Sequence, residues 1–392
     1  MLCDRGVEGA GPGRYTGRRG DPDNWRGIIL GANVLLLGGG DAGLKIADGL
    51  LRLGGVERLA IADRSAARAA ADIDLLNSCH AALVRFAEID ALDTSALEAL
   101  LRRERPDLIV QAASLISPWS IIGRDHPTAG TLAAAGIGIQ LPMQLPIVLS
   151  LMTAVRELGL EIPVANLSMP DIIHPVLGTR GLQPTIGLGN VSILQLRCLS
   201  AWKQREQQAA TTAGPLLRLV GHHCQVYDVM QARAPQQAQD RVRVFIGDEE
   251  VTHNDLAYRG RPVSPGRVYN QITAAAALPV LASLLPGAAP LRFSAPAPLG
   301  LPGGYPVRIE EQRPALDLPA GLDLAEAVSC NQRFGRRDGI EAIDEQGTVV
   351  FTGAARRAVS QLDPGLAEPL DCFRLGARTR RLQELVQAME RG

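Results

Sequence analysis

Residues 33–63 read NVLLLGGGDAGLKIADGLLRLGGVERLAIAD. The run Asn33 to Leu37 is short, apolar and of the kind buried on both faces of a parallel sheet. Glycines occupy 38, 39 and 40. From Asp41 to Leu53 the spacing turns helical, with Leu44, Ala47, Leu50 and Leu51 on one side, and Gly54 and Gly55 end it as glycine commonly ends helices. Glu57 to Asp63 is a second strand. Strand, glycine turn, helix and strand make one βαβ unit.

The unit repeats outward. Ser65 is placed to cap a helix running to about Asn77, Ala82 to Ile89 is a third strand, and Thr94 to Glu104 is a helix with Leu97, Leu100 and Leu101 inward. Asp107 to Ala113 is a fourth strand. Strands alternating with helices predict an α/β fold with a parallel, Rossmann-type sheet. Ser117 to Gly138, interrupted by Pro118, Gly123, Pro127 and Gly130, is expected to be a long loop able to move. Met143 to Leu158 reads as a helix, and the strand of 161–167 ends at Asn166. Past residue 183, strand-like pieces (185–188, 216–221, 241–246, 348–352) mix with helices over 268–285 and 378–390, which suits an α+β catalytic domain. The expected division is a disordered extension over 1–26, a dinucleotide-binding domain over 27–182 and a catalytic or substrate domain over 183–392.

Composition narrows the classes. A chain of 392 residues suggests roughly two domains. Apolar residues at 46% and charged residues at 21% are a globular balance, and a formal net charge of −1 argues against nucleic acid as a partner. The positive charge is arginine apart from Lys45 and Lys203, which removes lysine from the catalytic candidates. The six cysteines form no C-x-x-C pair, so neither a metal site nor a disulfide framework is expected. Residues 1–26 lack the apolar core of a secretory signal, and the most apolar stretch, Leu132 to Met152, is broken by Gly136, Gly138, Pro142 and Pro146. The expectation is a cytoplasmic protein without a membrane partner.

Gly38-x-Gly40-x-x-Gly43 sits between an apolar strand and an amphipathic helix. The first glycine permits the tight turn, the second lets backbone approach a pyrophosphate, and the third lets helix and strand pack closely. The helix start offers free N–H groups and the positive end of its dipole. Asp63 closes the second strand 20 residues after Gly43. A carboxylate there suits the ribose hydroxyls and repels a 2′-phosphate, which favours NAD; Arg64 beside it keeps NADP open. Asp41, inside the turn, mildly opposes anion binding. FAD, S-adenosylmethionine, or no nucleotide at all are the alternatives to NAD.

Three later stretches bear on chemistry: EIPVANLSMPD (161–171), GLQPTIGLGNV (181–191) and LVGHHC (219–224). Their order and spacing resemble the lactate/malate dehydrogenase superfamily. The resemblance implies that Gly38, Gly40, Gly43 and Asp63 hold NAD, that Asn166 touches the nicotinamide ribose or a substrate oxygen, and that His223 is the acid/base exchanging a proton with a substrate hydroxyl. It also implies a homo-oligomer, dimer or tetramer, and a helix over 268–285 lining the site with Tyr269, Asn270 or Thr273. A histidine suits the proton role because its ordinary pKa lies near neutrality. His222 and His223 point in different directions, so at most one of the two is the acid/base.

The chain departs from the family where the histidine's partners should be. Ser192 stands where an orienting aspartate is expected and Gln195 where a clamp arginine follows; Arg197 falls on another helix face. Glutamine cannot form a bidentate charged clamp. The implied substrate is therefore larger than lactate or malate, or anchored by another arginine, with Arg124 as candidate; Asp171 is a candidate replacement for the orienting carboxylate. The first half also resembles saccharopine dehydrogenase-type reductases, through ADRS (62–65), Asp90 with Asp93, and LIVQAAS (108–114). That resemblance implies chemistry at C–N bonds and leaves the paired histidines incidental. A nucleotide-binding sensor without chemistry is the third reading.

Overall fold

A computed structural model describes residues 31–205 and 214–391; the expected extension over 1–26 lies outside them. The chain opens with β1 (Ala32–Leu37), α1 (Asp41–Leu53), β2 (Val56–Asp63), α2 (Ala66–Cys79), β3 (Leu83–Glu88), α3 (Thr94–Glu104) and β4 (Leu108–Gln111). The caps explain the boundaries. Gly54 ends α1 at φ 81°, and the Asp93 side chain accepts the Ala96 N–H at the start of α3.

The segment expected as a loop is largely folded. A 3-10 turn covers Pro118–Ser120, α4 spans Pro127–Ala134, and a second 3-10 turn, Ile137–Gln140, runs into α5 (Leu141–Glu157). Pro127 lies in the first turn of α4, where a missing N–H costs nothing, and His126 Nδ1 accepts the Thr128 N–H. The prolines that suggested a loop are helix starts. The stretch Ile137–Glu157 is long and apolar enough to cross a bilayer by length and composition, but it is mostly buried inside the molecule, packed on the sheet.

β5 (Val164–Asn166), α6 (Pro170–Gly178) and β6 (Ile186–Gly187) complete a six-stranded sheet of order β3-β2-β1-β4-β5-β6, parallel throughout. This is the doubly wound order whose direction reverses between β1 and β4. Because β6 belongs to it, the sheet continues past residue 182, where the domain boundary was expected. α7 (Val191–Arg205) follows, then β7 (Leu217–Val220), α8 (Cys224–Met230), β8 (Arg243–Ile246), β9 (Glu249–Glu250) and α9 (Tyr269–Ser283). β10 (Leu291–Pro296), β11 (Gly304–Glu310) and β12 (Arg313–Leu316) form an antiparallel sheet, and β7, β8 and β9 form another. The chain ends through α10 (Leu324–Gly335), a 3-10 turn over Arg336–Asp338, β13 (Ile340–Ile343), β14 (Thr348–Phe351), α11 (Gly353–Val359), β15 (Leu370–Asp371) and α12 (Gly376–Arg391).

Successive side chains of β1 leave the sheet on opposite faces. Leu35 and Leu37 join a core with α3, α5, α11 and α12, whereas Val34 and Leu36 join one with α1, α9 and strands β10 and β11. Each face of the parallel sheet is thus covered partly by elements from the second half of the chain.

Candidate active site at the carboxyl edge of the sheet

The glycine turn links β1 to α1. Gly38 has φ 104°, and a side chain there would lie 2.7 Å from the backbone nitrogen of Ala113, so the chain leaving β4 passes against the turn. A side chain at Gly43 would overlap the Gly38 carbonyl oxygen, whereas one at Gly40 would meet nothing within 4 Å. Strand and helix therefore pack closely at Gly43, and open space lies over Gly40 at the start of α1. Asp63 stands at the end of β2 with its carboxylate against the turn: Oδ2 accepts the Gly39 N–H at 2.8 Å and Oδ1 accepts the Arg64 N–H at 2.7 Å.

Asp41, in the first turn of α1, accepts hydrogen bonds from Lys45 and from Asn270 Nδ2. Burial works against its charge, but these donors and Arg267 outweigh it and hold the carboxyl below its ordinary value. Asn270 Oδ1 in turn accepts from Trp119 Nε1 at 3.1 Å, and the Trp119 ring meets Tyr269 edge-on at 5.9 Å. Asn270 on α9 therefore joins the segment after β4 to the glycine turn.

The same edge continues along β4 and β5. Asn166, fully buried at the end of β5, donates to the Ser168 carbonyl and accepts the Ser168 N–H. Its side chain closes a local turn, while Ser168 Oγ donates to the Ala113 carbonyl. Three residues on, Asp171 in the first turn of α6 accepts the His223 backbone N–H on Oδ2 at 2.7 Å; its other oxygen is buried without a partner. Gly38 thus lies against Ala113, Ala113 bonds to Ser168, and the chain from Ser168 leads within three residues to Asp171 and the histidine pair between β7 and α8.

His223 Nδ1 lies 3.0 Å from Asp338 Oδ2. His222 Nδ1 lies 3.3 Å from the same oxygen and 3.9 Å from Asp171 Oδ2. His222 and Asp338 are buried, whereas 34% of the His223 side chain is exposed. Burial disfavours charge on both imidazoles, yet the carboxylates of Asp338 and Asp171 prevail and raise both above the ordinary 6.5. Burial likewise opposes the charge of Asp338, and the two imidazoles overcome it, holding that carboxyl far below 3.8. His174 behaves oppositely: enclosed, with Nδ1 against the Ala297 carbonyl, it is pushed down to about 4 and stays neutral.

The orienting carboxylate of His223 is therefore Asp338, 115 residues further along the chain. Neither Ser192 nor Asp171 has that position, since Asp171 holds the His223 backbone. Ser192 Oγ donates to the Ser294 carbonyl and Gln195 Oε1 accepts the Ser294 N–H. Both side chains are buried and bind α7 to β10. The Arg124 guanidinium donates to the Met389 carbonyl in the last turn of α12, a place where cations satisfy orphan carbonyls. Asn166 lies on the expected edge, but its polar atoms are occupied by Ser168. Among the described residues no three His, Cys, Asp or Glu side chains are grouped to hold a metal ion. A surface cleft of about 640 Å³, bordered by Arg241, Arg243, Arg333, Glu250 and Glu326, includes none of these site residues, and its charges pair largely with one another.

Neither a family model nor a curated protein matches the chain. Among solved structures it resembles the malate dehydrogenase of Picrophilus torridus in its apo form, at 12% identity over 85% of this chain and 99% of that one, with a TM-score of 0.50. It is also similar to a lactate dehydrogenase from a Medee basin deep-sea metagenome library, at 13% identity, the same coverage and a TM-score of 0.46. A UDP-glucose 4-epimerase from Stenotrophomonas maltophila, with bound NAD and formylated UDP-arabinopyranose, matches 36% of this chain at 18% identity and a TM-score of 0.28; the chain spans 38% of that protein. At these identities the likeness to the malate dehydrogenase shows the fold: a Rossmann-type parallel sheet with further antiparallel sheets.

Proposed function

We propose that the protein is a nicotinamide-dependent oxidoreductase acting at a hydroxyl-bearing carbon of an organic substrate, with His223 as acid/base. The observation that carries this reading is His223 itself, partly exposed and backed by a buried carboxylate 3.0 Å from Nδ1 at the sheet's carboxyl edge. The fold is the one whose ligands lie at that edge, at the switch between β1 and β4.

The chain's own residues fit the coenzyme. Gly40 leaves open space at the start of α1, where backbone N–H groups meet a diphosphate. Asp63 ends β2 where a ribose would lie and favours NAD over NADP. The contrary charge of Asp41 is offset by Lys45 and Asn270. The nicotinamide, when bound, supplies the hydride chemistry. Asp338 keeps the proton on His223 Nδ1 and turns Nε2 toward a substrate hydroxyl, whose proton Nε2 takes or returns. Asp171 fixes the backbone that carries the ring.

The test pairs calorimetric titration of NAD, NADH and NADPH with turnover over a panel of 2-hydroxy acids, larger alcohols and their oxo forms. His223→Asn should bind NADH as the unmutated protein does and lose turnover by about 10²-fold or more. Absence of binding heat from every coenzyme, or unchanged turnover in the variant, overturns the reading.

A further inference from the structure

Two imidazoles share one carboxylate oxygen. His222 and His223 both bring Nδ1 to Asp338 Oδ2, at 3.3 and 3.0 Å. The Cys224 amide N–H also lies 3.5 Å from His222 Nδ1, at the outer limit of a hydrogen bond. A lone pair facing an ionised carboxylate at 3.3 Å would be repelled, so His222 Nδ1 carries its proton and donates to Asp338. The catalytic role proposed for His223 leaves His222 without a task, although it is buried at the most strongly charged point of the site.

We propose that His222 is a positioning residue: it competes with His223 for the Asp338 oxygen they share, and so governs how tightly His223 holds its proton. The inference deepens the reading of His223 given above and rests on it for its catalytic meaning. An oxygen serving two donors gives each less than it would give one. A positive charge on His222 also repels a proton on His223 across the shared oxygen, so the two titrate as a pair. The other charged groups around them are accounted for. From α6, Asp171 holds the His223 amide and attracts both rings. From the 3-10 turn after α10, Arg337 opposes charge on His222 and is itself paired with Asp228 of α8 at 2.6 Å. From the start of α8, Cys224 stays a neutral thiol, because burial and the nearby carboxylates raise it.

The experiment follows the imidazole carbon–hydrogen signals of histidine-labelled protein by NMR across pH, without coenzyme or substrate. Its failure is therefore distinguishable from failure of the dehydrogenase reading, which the coenzyme titration decides. In the unmutated protein the His223 signal should titrate in two coupled steps. His222→Phe, which fills the space without a donor, should move the His223 midpoint upward. His222→Asn, which removes the charge but keeps a donor, should move it upward by less. A single-step His223 curve in the unmutated protein overturns the proposal, whether or not the variants fold. So does a His223 midpoint left in place in a folded His222→Phe protein. A merely structural His222 would alter stability and leave the midpoint unmoved.

Discussion

At Gly40 an added methyl group would meet open space, and at Gly43 it would overlap the carbonyl oxygen of Gly38. The two glycines therefore predict opposite failures. Gly40→Val should keep the melting temperature within a few degrees and lose coenzyme heat in calorimetry. Gly43→Ala should lower stability by about 1–3 kcal/mol in denaturant titration, because the turn and α1 must part. Equal stability loss in both would contradict the open space at Gly40, and coenzyme heat retained in Gly40→Val would mean that nothing needs it. Asp338 gives a second prediction, with its sign set by the shifts. The imidazoles are held above 6.5, so their contribution is complete below that pH and fades as pH rises through the raised values. Asp338 is held below 3.8, so its contribution is present above that pH and lost as pH falls. Asp338→Asn should therefore cost most between about pH 4 and 6.5, on the order of 3 kcal/mol for a broken buried pair. The gap should narrow by pH 9. In turnover, the variant's hydroxyl-oxidising limb should begin at lower pH than in the unmutated protein, because a His223 without its carboxylate gives up its proton more readily. A stability gap that is flat with pH would contradict the pairing.

Among the elements, α7 and β10 are joined by two side chains on one residue's backbone: Ser192 on the Ser294 carbonyl and Gln195 on its N–H. Gln195→Met should leave that buried N–H unsatisfied and cost about 1–3 kcal/mol of stability, with coenzyme affinity unchanged. A large change in substrate KM with stability intact would instead return Gln195 to the substrate. The same pair shows what a sequence pattern conveys. Helix α1 and helix α3 were legible to the residue, because leucine spacing and terminal glycine or aspartate are local signals. The strands of the parallel sheet were legible to within a few residues for the same reason. The helix after Pro127 was not, since its proline and glycine carry opposite meanings at a helix start and in a loop. The contacts of Ser192 and Gln195 with Ser294 were not legible, because alignment on Asn190 gives position along α7 but not which backbone the side chains meet. Asp338 was invisible: it follows a short arginine pair in a turn, and only the packing of the turn after α10 against the β7–α8 junction brings it to His223.

For the whole molecule, the coverage of the parallel sheet decides what can be separated. Leu382, Val386 and Met389 of α12 belong to the same core as Leu35 and Leu37 of β1. A carboxylate there cannot be hydrated, so Val386→Asp should destabilise the molecule by more than about 3 kcal/mol and abolish coenzyme binding, although the glycine turn is untouched. Gln387→Asp, on the exposed side of the same helix, should change stability by less than about 0.5 kcal/mol. Near-equal melting temperatures for the two variants would show that α12 is dispensable. The arrangement also orders events during synthesis. The strand that carries the glycine turn leaves the ribosome early, but the core on one of its faces is completed by a helix made more than three hundred residues later. Long-range closure of this kind is slow. Until it happens, the nascent first half carries exposed apolar surface where α11 and α12 will pack, the kind of surface on which chaperones act and aggregates start.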